Sequence, residues 1–278
     1  MHGVRSLALF NLIIISINFI WILVVDANSL FGTSLFHAFN VLPTHLTPAD
    51  FTFKAWLLIA VTMIIVAVLM YRETGNEHLN IRSVRKVMRV DYMLILNQLF
   101  CGLSMVLKLN HQMVLSVIFT IACIITILIV NNRVEIEKLT ANSFTKYFIR
   151  LAFGLYTGWL MFVFAFNVVT TFVKNELVQS ETEQYTIDLI FLVLSFGFAM
   201  YYSYIKMLPS VSAAFSWGLF GVIYQNINYP NYQQHNILIP LYILFGIGLM
   251  ISLYNFYRCN SKRTAINLAA QANSTSIP

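Results

Sequence analysis

Eight apolar segments separated by short polar links are the feature that most constrains how this chain of 278 residues folds. A bilayer core is crossed by about 20 apolar residues of helix, and lipid offers no partner to backbone polar groups. Only 10% of the residues are charged, and 59% are hydrophobic, which is too little charge for a water-facing surface. We therefore predict an all-α, polytopic membrane helix bundle. The segments are Leu7–Val25, Phe51–Tyr71, Tyr92–Leu107, Met113–Val130, Phe148–Val173, Ile187–Tyr204, Pro209–Gln225 and Ile237–Tyr257.

The Lys and Arg residues predict how these spans are oriented. All but three of the 17 lie in links and termini on one side of an eight-span bundle, and such an excess marks the cytoplasmic side. The exceptions are Lys54, Lys108 and Lys174. We expect about eight transmembrane helices with both termini in the cytoplasm. The net charge of +6 then belongs to the membrane surface, and nothing in the sequence argues for a nucleic-acid partner.

The first apolar segment has an alternative interpretation as a cleaved signal peptide. Small residues, Ala27 and Ser29, follow it. The apolar core of a signal peptide is about 7 to 15 residues long, and this segment is longer. We therefore favour a span that is retained, with cleavage as the open alternative.

Polar residues inside the predicted spans concentrate on defined helical faces. In the third span they recur at spacings of four, three and four, which places them on one face. Such groups either bond to neighbouring helices, at about 0.6 kcal/mol each, or line a pocket or path. Their convergence from several helices is what favours a pocket, and both interpretations stay open here. The residues are Asn97, Cys101, Ser104 and Lys108 in the third span, and Tyr156, Trp159 and Asn167 in the fifth.

Two glycines in the fifth span, Gly154 and Gly158, form a small-xxx-small pair. Such a pair lets a second helix approach closely. In a bundle of many spans we expect that second helix to belong to the same chain. A homodimer is the alternative.

The stretch LTPADFTFKAW, Leu46–Trp56, precedes the second span. Thr47 as N-cap, Pro48 as first helical residue and Asp50 in the first turn predict a helix start. The residues that follow either anchor the helix at the headgroups or contact a ligand. They are Phe53, Lys54 and Trp56.

Motifs for catalysis, metal binding and cofactor binding are scarce. His45 and Asp50 have the spacing H-x-x-x-x-D, which in some membrane acyltransferases supplies a general base and its partner, but the helix-start interpretation of Asp50 is favoured. The six His residues show no metal-ligand spacing, and no nucleotide fingerprint occurs. We expect no enzyme, no metal and no cofactor. Cys101 and Cys123 fall inside spans and Cys259 follows the last one, so no disulfide is expected.

Three stretches carry a family resemblance. TPADFTFKAW (47–56) is similar to the pattern Thr-Pro-Ala-Gly-Tyr-Thr-Phe-Ser-x-Trp, RLAFGLYTGWLMFVFAFN (150–167) to Pro-Phe-Ser-x-Tyr-Leu-Gly-Trp with a later Asn, and SWGLFGVI (216–223) to Trp-Ala-x-x-Gly-Ile. In this order the patterns resemble the longer bacterial relatives of the translocator protein, the tryptophan-rich sensory protein family. The likeness runs over most of the chain. One departure is Phe100, where that family usually has Trp in its third span.

The resemblance implies a helical bundle with a cavity for a flat apolar ligand such as a porphyrin or sterol, in a sensory or transport role. It also implies five translocator-like helices over residues 1–175 and three further spans over 176–258. A polar tail over 259–278 is predicted to be disordered. The expected location is the cytoplasmic membrane of a bacterium, with the lipid bilayer and the ligand as partners. The alternatives are a permease component without its own energy source and a structural membrane subunit. The predicted ligand contacts are Phe53, Lys54, Trp56, Asn97, Ser104, Lys108, Tyr156, Trp159 and Asn167.

Overall fold

The computed structural model describes residues 2–27, 43–75, 89–138, 144–228 and 235–275. These residues form eight α-helices and two short 3₁₀ helices, and no β-strand occurs among them. The predicted all-α fold class is therefore confirmed. The α-helices are α1 (His2–Ala27), α2 (Ala55–Gly75), α3 (Met93–Leu109), α4 (Met113–Arg133), α5 (Phe144–Lys174), α6 (Glu181–Lys206), α7 (Pro209–Asn228) and α8 (His235–Thr275).

Six stretches within the described helices are long and apolar enough to cross a membrane. They fall in α1, α2, α4, α5, α6 and α8, and the most apolar is α4, with a mean hydropathy of 3.0. The chain is thus an integral membrane protein with six candidate spans. Of the other two helices, α3 is apolar but has only 17 residues, and α7 has 20 residues that include several Ser, Asn and Gln.

Five helices close into a ring. α1 packs against α2 and α3, α3 packs against α4, and α5 contacts both α4 and α2. The remaining helices lie on the other side of α5, where α6 and α7 contact it and α8 contacts α6 and α7. The apolar stretch of α5 is 83% buried, whereas that of α8 is 17% buried. α5 is therefore the central helix, and α8 lies at the periphery with most of its apolar surface outward.

The glycine pair of α5 is where α7 comes closest. A methyl group on Gly154 would lie 2.0 Å from Oγ of Ser210, and one on Gly158 would lie 2.1 Å from the carbonyl oxygen of Val211. At Gly158, where the clash is with the backbone, only glycine permits this approach. The expectation that the pair packs against a helix of the same chain is confirmed.

The break between the sixth and seventh apolar segments is also as predicted. Ser180 and Glu183 form a capping box at the start of α6, and Met207 ends that helix in the left-handed conformation, with φ 49°. The amide of Leu208 donates to the carbonyl oxygen of Ser203 at 2.9 Å. Pro209 then opens α7, where its missing N–H costs nothing.

The prediction of a disordered tail from residue 259 is wrong over most of that segment. α8 continues as one helix to Thr275, well past the apolar stretch that ends at Ser261. Residues 265–272, AINLAAQA, include Ala, Leu and Gln, which have high helix propensity. A polar composition therefore does not end the helix here.

Candidate functional site

A cavity lies inside the five-helix ring, between α2, α3, α4 and α5. Its empty space is about 450 Å³ including the part open to the outside, and about 30 Å³ of it is wide enough for the centre of a water molecule. A cavity needs about 10 to 15 Å³ of the latter measure to hold one water, so the cavity as it stands has room for two or three. Its lining residues are Phe53, Trp56, Cys101, Ser104, Met105, Lys108, Thr120, Cys123, Leu160, Val163, Phe166 and Asn167.

Lys108 brings an amino group, a cation when protonated, to this cavity. It is 3% exposed, and its Nζ donates to Oδ1 of Asn167. The ammonium also lies 4.7 Å from the ring centroid of Phe166. Asn167 in turn donates to Oγ1 of Thr120 at 3.4 Å. The amino group of Lys108 thus lies between an amide and an aromatic face at the cavity lining.

Aromatic rings form the wall opposite α3. Phe53 lies edge-on to Trp159 and to Phe166, with ring centroids 6.3 Å apart in both cases. Trp56 lies 6.1 Å from Trp159 and 6.2 Å from Tyr156. These spacings are typical of edge-to-face aromatic packing. The wall therefore presents apolar ring edges and faces to anything that enters.

The predicted site residues separate into three groups. Phe53, Trp56, Ser104, Lys108 and Asn167 line the cavity. Asn97, Tyr156 and Trp159 are buried behind that lining. Lys54 is exposed and is absent from the lining.

Asn97 connects α3 to α4 behind the cavity. Its Nδ2 donates to the carbonyl oxygen of Cys123 at 2.7 Å and to Oγ1 of Thr126 at 2.9 Å. The amide is 0% exposed. In the described structure Asn97 therefore bonds two helices to each other. This is the first of the two interpretations, interhelical bonding or pocket lining, that its sequence position allows.

Sequence reasoning missed the contribution of α4. Ser116, Thr120 and Cys123 recur at spacings of four and three on this helix, and all three are buried. Thr120 and Cys123 line the cavity beside α3. The helical spacing that identifies the polar face of α3 also identifies this second face. The apolar lining residues Leu160 and Val163 carry no such signal.

Residues 43–54, which we call the strap, cross from the ring onto α6 and α7. The amide of Ala49 donates to the carbonyl oxygen of Gly221 at 3.1 Å, and Nε1 of Trp217 donates to the carbonyl oxygen of Thr52 at 3.0 Å. Nδ2 of Asn226 donates to the carbonyl oxygen of His45 at 2.9 Å. Phe53, the last residue but one of the strap, is in the cavity lining. The strap therefore connects α7 with the aromatic wall.

The predicted helix start at Thr47 and Pro48 is wrong. A 3₁₀ helix begins at Asp50, its N-cap is Ala49 without a side-chain cap, and the α-helix follows from Ala55. Oγ1 of Thr47 accepts from the amide of Thr44 at 2.9 Å. The Thr47 hydroxyl, which was predicted to cap the helix, is thus used within the strap. The amide of Ala49, which it would have capped, donates to Gly221 of α7 instead.

His45 pairs with an acid that its sequence spacing does not indicate. Its Nδ1 lies 2.6 Å from Oδ2 of Asp188 in α6, and its amide donates to the same oxygen at 3.1 Å. Asp188 is 0% exposed, whereas Asp50 is exposed. The H-x-x-x-x-D spacing is therefore not a catalytic pair, and His45 holds the strap to α6.

The three stretches that carry the family resemblance converge on this site. The strap and the start of α2 hold the first, α5 holds the second with Trp159 and Asn167, and α7 holds the third with Trp217 and Gly221. Residues 8–254, most of the chain, match the TSPO-like protein family. No curated protein and no solved structure is significantly similar to the chain. The chain belongs to the TSPO-like protein family, as the resemblance indicated.

Proposed function

We propose that the protein binds a flat apolar ligand of the porphyrin or sterol class in the ring cavity, in a sensory or transport role. The observation that carries this proposal is the buried amino group of Lys108 in an aromatic-walled cavity. Lys108 favours a ligand that bears a carboxylate. The ligand's rings would contact Phe53 and Trp56, and its acid would meet Lys108 and Asn167.

Electrostatics supports an acidic ligand. The lining of the cavity contains Lys108, so the carboxylate of a bound ligand would meet a basic group there. Away from water a charge is stabilised chiefly by an opposite charge and by hydrogen bonds. Asn167 and Thr120 supply further polar groups next to the ammonium.

The size of the cavity requires its wall to move. Space for two or three waters cannot hold a macrocycle, so the bound state differs from the closed one described here. Phe53 is only partly buried and lies at the end of the strap, at the cavity. We propose that displacement of Phe53 and the strap opens the site. Ligand binding would then shift the population towards this opened state.

We further infer that α3 and α7 also cross the membrane. Asn97 of α3 bonds to Thr126 of α4, and Ser104 bonds to Thr120, so the two helices are antiparallel. At 1.5 Å per residue α3 spans about 26 Å, close to the thickness of a bilayer core. α7 returns along α6 in the same way, because Phe196 packs on Phe215 at 5.6 Å and the turn between the helices is short.

Ion pairs support cytoplasmic termini. Arg89 lies 3.5 Å from Glu135, Arg133 lies 3.9 Å from Asp91, and Lys206 lies 3.1 Å from Glu137. All of these pairs lie at one end of the bundle, where α4 and α6 end. Lys138 and Arg89 lower the pKa of Glu135, which keeps that carboxylate charged to lower pH. With eight crossings we expect this basic end, both termini included, to lie in the cytoplasm.

A titration tests the ligand proposal. Protoporphyrin IX is added to detergent-purified protein, and binding is followed by the shift of the porphyrin absorbance band. Lys108→Met and Trp56→Leu should each weaken binding by about tenfold, or about 1.4 kcal/mol. Lys54→Met makes the same chemical change at an exposed lysine and should leave affinity unchanged.

Thermal unfolding of each variant distinguishes lost contacts from lost folding. The proposal requires that Lys108→Met binds protoporphyrin IX more weakly than the parent does. It also requires that this variant unfolds only above the temperature of the titration, so that the loss of affinity is not a loss of folding. Absence of binding in the parent, or equal affinity of the Lys108 and Lys54 variants, would refute it.

A further inference from the structure

We propose that a second cavity, between α1, α2 and the start of α3, binds a small alcohol through the side chain of Asn11. We call this cavity the α1 pocket. It shares no lining residue with the ring cavity. The inference therefore goes beyond the ligand proposed above and does not depend on it.

The α1 pocket is formed by inward faces of its helices. Ala8, Asn11 and Ile15 follow one another at spacings of three and four on α1, and Val66 and Met70 lie four residues apart on α2. Such spacings place side chains on one side of a helix. The start of α3 closes the third side. No lining residue is more than 7% exposed, so the pocket lies inside the bundle.

Asn11 is the polar group of the pocket. Its side chain is 6% exposed, and its Oδ1 has no hydrogen-bond partner among the described residues. Asn18 lies seven residues later on the same face of α1, but its Nδ2 donates to Oε1 of Gln98 at 2.8 Å. A buried acceptor without a donor is unfavourable. Asn11 therefore offers an acceptor that a bound molecule can satisfy.

The side chains of the pocket favour an alcohol over water. A buried water makes about three hydrogen bonds and needs two to four polar partners, whereas every described lining side chain other than that of Asn11 is apolar. An alcohol donates its one O–H to Oδ1 of Asn11, and its alkyl group contacts the apolar residues. An alcohol is also uncharged, so it brings no buried charge that needs a partner.

The size of the pocket limits the alcohol to a few carbons. About 10 Å³ is open to the centre of a water-sized sphere, which is the space that about one hydroxyl-sized group needs. The alkyl group takes further space from Met70, because an unbranched thioether side chain re-packs readily. Met70 is the most exposed lining residue, at 7%. A sterol or a macrocycle does not fit.

Arg5 and Tyr71 lie at the end of the pocket where the alcohol enters. Arg5 precedes Ala8 by about one helical turn, and Tyr71 follows Met70. Nη2 of Arg5 donates to Oη of Tyr71 at 3.5 Å, and its Cζ lies 5.4 Å from the ring centroid. Arg5 is exposed near the start of the first candidate span. Entry at this end requires only side chains to move.

Photolabelling tests this inference. Detergent-purified protein is irradiated with azibutanol, a butanol that carries a photoreactive diazirine, and the labelled residues are located by mass spectrometry after proteolysis. Label should attach to peptides that contain Asn11 or Met70, should saturate with concentration, and should be displaced by butanol. Butyl methyl ether keeps the alkyl group but has no O–H, and it should compete about fivefold more weakly.

Asn11→Leu removes the acceptor and should weaken saturable labelling of the pocket by about fivefold. Its unfolding temperature should be equal to that of the parent or higher, because an unpartnered buried amide is lost. Asn228→Leu makes the same change at an exposed position and should leave the labelling unchanged. Protoporphyrin binding by both variants reports separately on the ring cavity.

Three results would overturn the inference. One is labelling of the pocket that does not saturate, as expected at lipid-facing residues such as Phe10, which is 57% exposed. The second is saturable labelling of Asn11→Leu at the level of the parent. The third is a large fall in the unfolding temperature of Asn11→Leu, which would show that the amide is already bonded within the chain.

Discussion

Gly158 is the residue at which α5 meets the backbone of α7. Gly154, one turn earlier, faces the flexible end of Ser210, but Gly158 faces the carbonyl group of Val211. A hydroxyl group can rotate away from a new methyl group, whereas a carbonyl within a helix cannot. The tolerance of the two positions therefore differs although their sequence pattern is the same.

We predict that Gly158→Ala lowers the free energy of unfolding by about 1 to 3 kcal/mol, because overpacking forces the two helices apart. Thermal unfolding in detergent measures this change. Gly197→Ala in α6 is the matched control, since a methyl group there meets nothing within 4 Å. It should leave stability unchanged or raise it by up to about 1 kcal/mol. Equal unfolding temperatures for the two variants would contradict the close α5–α7 contact.

At the same scale, sequence spacing identifies which residues face inward but not what they bond to. The spacing from Asn97 to Lys108 places both on one face of α3, and both are buried. Asn97 bonds to α4, whereas Lys108 faces the cavity and bonds to α5. The difference depends on which helix lies opposite each turn of α3. That arrangement is set by the packing of the ring and is not encoded in the periodicity of one helix.

At the scale of elements, the strap is a second connection, beside α5, between the ring and the helices α6 and α7. His45 binds Asp188 of α6, and Ala49 binds Gly221 of α7. The strap then enters the 3₁₀ helix that carries Phe53. Any displacement of α6 or α7 relative to the ring therefore acts on the cavity wall.

We predict that Asp188→Ala destabilises the protein strongly. The substitution leaves the ring Nδ1 and the amide of His45 buried without the carboxylate oxygen that both contact, and each buried polar group left unsatisfied costs about 1 to 3 kcal/mol. Thermal unfolding in detergent checks this. Asp50→Ala, at the exposed acid that the sequence spacing pairs with His45, should be nearly silent. A larger effect at Asp50 than at Asp188 would show that His45 has been given the wrong partner.

Sequence patterns predict the apolar part of each element better than its ends. The division between the sixth and seventh apolar segments matches the break between α6 and α7, where Pro209 acts locally as the first helical residue. The start of α2 is mispredicted, because the amide of Ala49, which a cap at Thr47 would satisfy, donates to the carbonyl oxygen of Gly221 in α7. The end of α8 is mispredicted, because helix propensity continues where hydropathy stops. Phe100, which replaces the Trp of the resembling family, packs on Phe119 at 5.7 Å and is not in the cavity lining.

At the scale of the whole molecule, the distribution of Lys and Arg predicts an orientation that cysteine labelling measures. In a protein with Cys259 replaced, the remaining native thiols are buried. A cysteine placed at Lys138 should be protected from a membrane-impermeant thiol reagent in intact cells, and one placed at Glu181 should be labelled. Both positions are exposed, so burial does not confound the result. Labelling at Lys138 in sealed cells would refute the eight-span topology.

The closure of the ring is a property of the whole chain that sequence reasoning did not reach. Apolar segments and charges predict how many helices cross and in which direction, because each acts on its own segment. The ring of α1, α2, α5, α4 and α3 requires that α2 and α5 meet, although the chain visits two helices between them. That contact closes the ring around the cavity. The inward face of each helix could therefore be predicted from its own sequence, but the grouping of these faces around one cavity could not.

The measurement that tests the central claim most directly compares protoporphyrin IX with its dimethyl ester. The two ligands share the apolar ring system, but the ester has no carboxylate for Lys108. The account predicts that the parent binds the acid about tenfold more tightly, or by about 1.4 kcal/mol, and that Lys108→Met binds both equally. Equal affinity of the parent for acid and ester, or a preference that survives in Lys108→Met, would contradict it.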